Sequence, residues 1–319
     1  VLMGGVTPEM KLENELRSAA QFAGFSQAET FSFESPKVFD KLLLSENDGL
    51  RKAITISNPL GEDFSIMRTS TVNGMLTSLS TNYNRRNKNV KLYELGRVYL
   101  PGEQALPIQE LPDERVQLTL GFYGNGDFFD MKGAVEELLD VAGVEKHRDY
   151  MPGASAFYKG NGNIPFLHPG RQAAISVGKN LLGYLGEVHP AVLKNYEIGE
   201  RAYLAVIDLK NLMEAASFEK KYAGVPRFPA IVRDLSMTVP KDLMVGEIEA
   251  LLRQRGGKLL ESYALFDVYE GAQVGEGFKS VAYSCTFRAP DRTLEDADVQ
   301  KAMKKILDGL GRMGIELRQ

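Results

Sequence analysis

The chain changes its pattern of hydrophobic and polar residues near Pro226. Before that point, apolar and polar residues alternate with period two in many short segments, which is typical of strands with one buried face. Such segments lie at 53–57, 90–100, 115–124, 172–178, 181–188 and 202–209. Turns such as 178–180 are too short for a helical crossover, so we expect a largely antiparallel sheet.

Two helices are predicted among these strands, which makes the class α+β. Thr7 can cap the first helix and Pro8 suits its first position, while Gly24 ends it. Its apolar stripe consists of Leu12, Leu16, Ala19 and Ala23. The second helix follows Arg68, and its apolar face consists of Val72, Met75, Leu76 and Leu79.

The part after Pro226 has a simpler order of elements. Strands are predicted at 234–239, 259–269, 279–288 and 314–317, with helices at about 245–255 and 294–310. The order β-α-β-β-α-β is that of the ferredoxin-like fold. Thr293 is expected to cap the second helix, with Asp296 three residues on. We therefore expect a module over 1–221, a linker over 222–229 and a small domain over 230–319.

Strand alternation divides the small sheet into a helix-covered face and an open face. The open face should carry Tyr263, Leu265, Asp267 and Tyr269 from one strand and Ser280, Ala282, Ser284, Thr286 and Arg288 from the next. A free sheet face with aromatic rings and hydrogen-bonding groups can hold unstacked nucleic-acid bases. A solvated face without a ligand is the alternative that the pattern leaves open.

Composition limits the classes of function. The chain has 319 residues, 44% of them hydrophobic, a net charge of −4 and one cysteine. A single cysteine excludes an internal disulfide framework and fits a reducing compartment, so we expect a cytoplasmic protein without a membrane span. The part after Pro226 has 14 basic and 14 acidic residues, so RNA binding must depend on a local site. The first residue is not methionine, and we expect a fragment of a longer chain.

Isolated histidines and arginines give weaker signals. His147, His168 and His189 lie far apart in sequence, so no metal site is expected and a structural role is favoured. Arg227 precedes the first strand of the small domain and is expected to reach RNA. Arg233 should point to the helix-covered side and pair with a carboxylate, and Asp234 is the nearest one in sequence.

Six long blocks occur in a fixed order along the whole chain. They are SNPLGEDFSIMRTSTVNGML (57–76), KLYELGRVYLPGE (91–103), DFFDMKGAVEELL (127–139), FLHPGRQAAI (166–175), LGYLGEVHPAV (182–192) and RFPAIVRDLSMTV (227–239). Together they resemble the C-terminal portion of the beta subunits of bacterial phenylalanyl-tRNA synthetases. The resemblance implies a catalytic-like module similar in fold to a class II synthetase, followed by a ferredoxin-fold anticodon-binding domain.

The resemblance also implies a partner, an alpha subunit, within a heterotetramer that couples phenylalanine to its tRNA. The whole enzyme would use ATP and magnesium, and this fragment would bind neither. Class II adenylation needs arginines on the ATP phosphates, and the stretch 182–192 has Glu187 and His189 but no arginine. We therefore expect an inactive module. Arg68 and Arg97 could retain a phosphate contact, although support of the fold or of a subunit interface is favoured.

The anticodon site is predicted at Asp267, Tyr269 and Ser280, with Tyr263, Arg288 and Arg227 around it. The first anticodon base of phenylalanine tRNA is guanine. A carboxylate such as Asp267 can accept hydrogen bonds from its N1 and N2 groups. Tyr269 would stack on the ring, and Ser280, expected opposite Asp267, would offer its hydroxyl. Three alternatives stay open at this point: a regulatory site for a small amino acid, an assembly scaffold, and an Asp267 that only protects an edge strand.

Overall fold

The structure is a computed structural model. It describes residues 4–144, 148–152, 163–219, 222, 224–271 and 273–318, with only the main chain of Glu316. The chain divides into two compact units, Val1–Lys220 and Lys221–Gln319. Lys221 and part of the expected linker lie outside the described residues. Each unit is described separately below.

The larger unit is built on a seven-stranded sheet with the order β1-β4-β5-β9-β8-β7-β6. Every pairing in it is antiparallel except that of β1 with β4. A separate two-stranded sheet joins β2 to β3. The strands are β1 (Ser26–Gln27), β2 (Phe33–Glu34), β3 (Ile66–Met67), β4 (Val90–Leu100), β5 (Asp113–Tyr123), β6 (Arg148–Pro152), β7 (Leu167–Val177), β8 (Asn180–Val188) and β9 (Ala202–Asp208). The predicted antiparallel sheet is thus confirmed, but the strand expected at 53–57 is wrong, since only an isolated bridge of Thr55 with Ile66 forms there.

Helices cover both faces of this sheet. They are α1 (Pro8–Phe22), α2 (Val38–Lys41), α3 (Val72–Asn84), α4 (Phe128–Val141), α5 (Pro190–Asn195) and α6 (Leu209–Ala215). Apolar residues of α1, α4 and α6 pack on one face, and those of α2, α3 and α5 pack on the other. Strand alternation explains this, since Leu118 and Leu120 of β5 contribute to the first core and Tyr123 to the second.

Both predicted helices of this unit are confirmed. The Thr7 side chain accepts from the main-chain N–H of Met10, and the four predicted apolar residues of α3 are all buried. Helix α4 was not predicted, although its sequence contains a clear start signal. Asp127 and Asp130 form a capping box there, and their carboxylates accept from the main-chain N–H groups of Asp127, Phe129 and Asp130.

The smaller unit has the predicted ferredoxin-like fold. Its strands are β10 (Ile231–Pro240), β11 (Leu260–Tyr269), β12 (Phe278–Phe287) and β13 (Glu316–Leu317), and its helices are α7 (Val245–Gly256) and α8 (Asp296–Arg312). The sheet order is β11-β12-β10-β13. The prediction that Thr293 caps the second helix is wrong. Glu295 is the cap, in a capping box with Asp298, so the helix starts two residues later than expected.

Candidate nucleic-acid interface

Three of the six predicted site residues share the open face of the small sheet. The core of this unit lies between the sheet and its two helices, and it contains Val281, Tyr283 and Cys285 of β12. Residues that alternate with them on β12, including Ser280 and Ala282, therefore point to the other face. Asp267 lies opposite Ala282, and Tyr269 lies opposite Ser280. Asp267, Tyr269 and Ser280 are thus neighbours on one surface, but the expectation that Ser280 lies opposite Asp267 is wrong.

Tyr263 is not part of this surface, and the prediction that it points to the open face is wrong. It lies opposite the buried Cys285 and packs against the core. Its hydroxyl accepts from Arg253 Nη1 of α7 at 2.6 Å, and its ring contacts that of Tyr283 at a centroid distance of 6.3 Å. The contacts of Tyr263 are therefore those of a residue that joins helix to sheet.

Arg288 and Arg227 lie far from the three clustered residues. Arg288 follows the opposite end of β12 from Ser280, roughly 26 Å away at about 3.3 Å per residue. Its Nε lies 3.0 Å from both carboxylate oxygens of Glu261, and Nη1 donates to the carbonyl of Phe228 at 2.5 Å. Arg288 thus fixes the entry segment of the domain, beside the exposed Arg227.

Arg233 behaves as its strand position predicts. It lies opposite the core residue Cys285, which places it on the helix-covered side. Its partner is Asp296 at the start of α8, at 2.6 Å, and not its neighbour Asp234. Adjacent residues of a strand point to opposite faces, which is why a pair between neighbours does not form. A structural role for Arg233 follows.

Sequence reasoning missed one cation on the open face, Arg318. Its main-chain N–H donates to the Ser236 carbonyl at 3.0 Å, so the chain continues β13 along β10. Its Nη1 lies 3.4 Å from Ser280 Oγ and its Nη2 lies 3.4 Å from Gln273 Oε1. Ser280 is 5% exposed, so its hydroxyl is less accessible than the sequence suggested. The only sequence signal was a basic residue next to the last strand.

The two arginines of the larger unit that could contact a phosphate, Arg68 and Arg97, both form ion pairs. Arg68 pairs with Glu94, and both side chains are 3% exposed. Arg97 is exposed and lies 3.5 Å from Glu114. Arg68 is therefore a residue that supports the fold, as the sequence favoured, and its donors are not available to a phosphate.

The stretch 182–192 contains no arginine, as the sequence shows, but two arginines from other segments lie beside its Glu187. Arg171 of β7 donates through Nε and Nη2 to the buried Glu187 carboxylate at 2.6 and 3.0 Å. Arg201, just before β9, lies 3.9 Å from the same carboxylate. These arginines line an open cleft of about 710 Å³. Neighbouring strands bring them together, which spacing along the sequence could not reveal.

Glu34 is a buried carboxyl group of this unit with a shifted pKa. It is 6% exposed, and burial raises its pKa to about 7. A hydrogen bond from Asn73 Nδ2 at 3.0 Å and the nearby charge of Arg68 oppose the rise, while the charge of Glu94 adds to it. Tyr196 in turn donates to Asn73 Oδ1 at 2.7 Å. The group is a buried polar network beneath β2 and α3.

The histidines have local structural contacts where they are described. His168 Nδ1 accepts from Gly170, and His189 caps α5 by accepting from Ala191, each at 3.1 Å. His147 lies outside the described residues. Within the described part of the chain, no three His, Cys, Asp or Glu side chains are grouped so that they could hold a metal ion. No helix among the described residues is long and apolar enough to cross a membrane.

Comparison with protein families identifies both units. Residues 1–209 match the family model described as the phenylalanyl tRNA synthetase beta chain CLM domain. The chain belongs to the phenylalanyl-tRNA synthetase beta chain family. Residues 226–318 match the ferredoxin-fold anticodon binding domain, so the resemblance found in the sequence is confirmed.

Relatives within this beta chain family are much longer than the chain. The phenylalanine–tRNA ligase beta subunit of Clostridium acetobutylicum is 46% identical over 297 residues, which are 93% of this chain and 36% of the relative. That of Clostridium tetani is 43% identical over 98% of this chain and 38% of the relative. The chain thus spans little more than a third of these beta subunits.

Solved structures extend the comparison of folds. Pyrrolysyl-tRNA synthetase from Desulfitobacterium hafniense matches with a TM-score of 0.51 at 18% identity, over 65% of this chain and 68% of that chain. At this identity the match concerns the fold alone. It confirms that this beta chain family member contains a fold similar to that of a tRNA synthetase.

Proposed function

We propose that this chain is the part of a phenylalanine–tRNA ligase beta subunit that binds the anticodon loop of phenylalanine tRNA and supports an alpha subunit. The observation that carries the proposal is the open sheet face with Asp267 beside Tyr269, in a unit that belongs to an anticodon-binding family. Asp267 is exposed and Tyr269 is 39% exposed, so a carboxylate and an aromatic ring are accessible to one base.

The chemistry of these groups suits a guanine as the first anticodon base. An ionised carboxylate accepts hydrogen bonds only, and the N1 and N2 hydrogens of guanine offer two donors side by side. A tyrosine ring supplies a stacking surface that contributes about 1 to 3 kcal/mol for each base. Arg227 and Arg288 lie elsewhere on the domain, where an RNA phosphate is the ligand that suits them.

The experiment is a titration of the chain with an RNA hairpin that carries the anticodon loop of phenylalanine tRNA. Asp267→Ala should weaken binding on the order of tenfold and reduce the preference for guanine at the first anticodon base. An unchanged preference would contradict the assigned site. Binding of free phenylalanine without RNA would instead support a regulatory site for a small amino acid. If the chain binds neither ligand, the assembly scaffold is the alternative that remains.

We propose that the larger unit pairs with the alpha subunit through exposed apolar residues. Phe31 is 74% exposed and Leu60 87% exposed, and the ring of Phe31 contacts that of Phe64 at 5.7 Å. Phe33, two residues after Phe31, is 39% exposed. Apolar surface of this kind is typical of protein interfaces when it forms a continuous patch. These four residues are called the Phe31 patch.

The pairing is tested by co-purification with an alpha subunit produced in the same cells. Phe31→Ser combined with Leu60→Ser should abolish co-purification. Leu111→Ser, at a residue 89% exposed outside the Phe31 patch, is the matched control and should leave it intact. Equal recovery of the alpha subunit by all three proteins would contradict the assignment of this surface.

We assign ATP and magnesium to the whole ligase, which would join phenylalanine to its tRNA in the cytoplasm, and no cofactor to this chain. The chain alone is proposed to be inactive. Support comes from Glu187, which occupies two donors of Arg171 and thereby neutralises a cation that a triphosphate would need.

A further inference from the structure

Arg318 is fixed on the open face by the register of the last strand. Leu317 lies opposite Met237, a residue of the buried core, and the N–H of Arg318 donates to Ser236. Since adjacent residues of a strand point to opposite faces, Arg318 extends over the open face. Its side chain crosses β10 and reaches Ser280 on β12.

The contacts of the guanidinium group are weak. Its two hydrogen bonds, to Ser280 and Gln273, are each 3.4 Å long, and both partners are neutral. Among the side chains that the structure describes, no carboxylate lies within the 4.0 Å of an ion pair with Arg318. Charge-assisted hydrogen bonds are normally about 2.7 to 2.9 Å long. The cation is thus held near the middle of the sheet by contacts that a better acceptor would replace.

Asp267 and Arg318 lie at the two ends of one row across the sheet. Asp267 is opposite Ala282, Ala282 is opposite Ser236, and Ser236 is followed by Arg318 on the last strand. The main chains at Asp267 and Arg318 are three strand spacings apart, which is about 14 Å. The residues between them are small, and Tyr269 lies beside the row. The result is a shallow slot with an anion at one end, a cation at the other and an aromatic ring beside it.

We propose that Arg318 donates hydrogen bonds to O6 and N7 of a guanine base. The N1 and N2 groups of the same base donate hydrogen bonds to Asp267. This inference deepens the proposed function, on which it rests. Guanine alone offers two donors on one edge and two acceptors on the adjacent edge, while adenine presents its N6 amino group where guanine has O6. Arg318 replaces Ser280 as the group that discriminates, because Ser280 is only 5% exposed whereas the guanidinium lies over the open face, 3.4 Å from its hydroxyl.

The test uses the whole chain and four RNA hairpins that differ only at the first anticodon base. The bases are guanine, 7-deazaguanine, which lacks the N7 acceptor, inosine, which lacks the N2 amino group, and adenine. Binding is measured by fluorescence anisotropy at fixed salt, since phosphate contacts make affinity depend on salt. The variants are Arg318→Gln and Asp267→Asn, and Arg312→Gln at an exposed residue of α8 is the control for loss of charge.

The unmodified chain should bind the 7-deazaguanine hairpin about fivefold more weakly than the guanine hairpin. Arg318→Gln should bind guanine about tenfold more weakly and should no longer distinguish it from 7-deazaguanine, while the penalty for inosine persists. Asp267→Asn should bind the inosine and guanine hairpins with equal affinity, and it should still bind the 7-deazaguanine hairpin more weakly. Arg312→Gln should show the pattern of the unmodified chain.

Two outcomes would overturn the inference. A penalty for 7-deazaguanine that survives in Arg318→Gln means that another group reads N7. A loss of affinity in Arg318→Gln that is equal for all four hairpins means that Arg318 contacts phosphate and not the base. If the unmodified chain binds none of the hairpins, or binds all four equally, the proposed function fails and this inference fails with it.

Discussion

Arg68 and Glu94 form an ion pair inside the larger unit, with Nη1 and Oε1 2.9 Å apart and each side chain 3% exposed. Both side chains also have further hydrogen bonds. Arg68 Nε donates to the Arg97 carbonyl at 2.6 Å, and the Thr30 hydroxyl donates to Glu94. A β-carbon at Gly96 would overlap the guanidinium, so a glycine there leaves room for the pair. The two charges and their partners form one unit of structure.

Breaking this pair should destabilise the larger unit strongly. Arg68→Met leaves the Glu94 charge buried without a cation, and such losses are about 3 to 5 kcal/mol. The measurement is urea unfolding at pH 7, followed by circular dichroism. Arg97→Met is the matched control, because its exposed pair with Glu114 should contribute less than about 1 kcal/mol. Equal losses in the two variants would mean that burial of the Arg68–Glu94 pair has no energetic effect.

The larger unit should become less stable as pH rises from about 4.5 to 7. Burial raises the pKa of Glu34 from its ordinary value of 4.5 to about 7, so the folded state binds this proton more tightly than the unfolded chain. The resulting stabilisation is complete below pH 4.5 and is lost as pH rises through 7. A difference of this size is on the order of 3 kcal/mol.

Glu34→Gln tests this dependence, because glutamine can still accept from Asn73 but carries no charge at any pH. The variant should be more stable than the unmodified chain at pH 8 and should lose the contribution of Glu34 to the pH dependence. The control is Glu46→Gln at an exposed residue. If the slope between pH 4.5 and 7 is the same in all three proteins, Glu34 titrates near its ordinary pKa.

The pattern of the sequence predicted the elements of the smaller unit but not which residues of β11 face the helices. Register shifts occur between Leu260 and Ser262 and again between Leu265 and Asp267. Each extra residue in a strand exchanges the two faces for the residues that follow. The first shift turns Tyr263 toward the helices, and the second returns Asp267 to the open face. Period-two alternation assumes no bulge, which is why it failed at Tyr263 and succeeded at Asp267.

The groups that sequence reasoning missed are those that distant segments bring together. Arg171 and Glu187 are on neighbouring strands, and Arg201 precedes a third strand. Arg318 reaches Ser280 only because β13 pairs with β10 and its side chain then crosses that strand. Local periodicity specifies helices and strands, whereas the order of strands in a sheet depends on long-range pairing. The long sequence blocks identified the family without giving these contacts.

The chain alone should not catalyse phenylalanine-dependent exchange of pyrophosphate into ATP. The cleft beside Glu187 contains Arg171 and Arg201, but the bidentate contact of Arg171 with Glu187 neutralises its charge. Lengthy incubation with ATP, magnesium and phenylalanine should give no exchange above a blank without protein. Addition of an alpha subunit should restore exchange, which serves as the positive control. Turnover by the chain without an alpha subunit would show that the module is an active site.

Two tyrosines of β11 should separate stability from RNA binding. Tyr263→Phe removes a hydroxyl that accepts from Arg253 at 2.6 Å, so the smaller unit should lose about 1 to 2 kcal/mol of stability while binding of the anticodon hairpin is unchanged. Tyr269→Leu keeps an apolar side chain but removes the exposed ring, so hairpin binding should weaken on the order of tenfold with little change in stability. The two measurements are urea unfolding and fluorescence anisotropy on the same samples. If Tyr263→Phe weakens RNA binding as much as Tyr269→Leu does, the base lies nearer the helix-covered edge of β11 than the register indicates. If neither variant changes binding, stacking on this strand does not hold the anticodon.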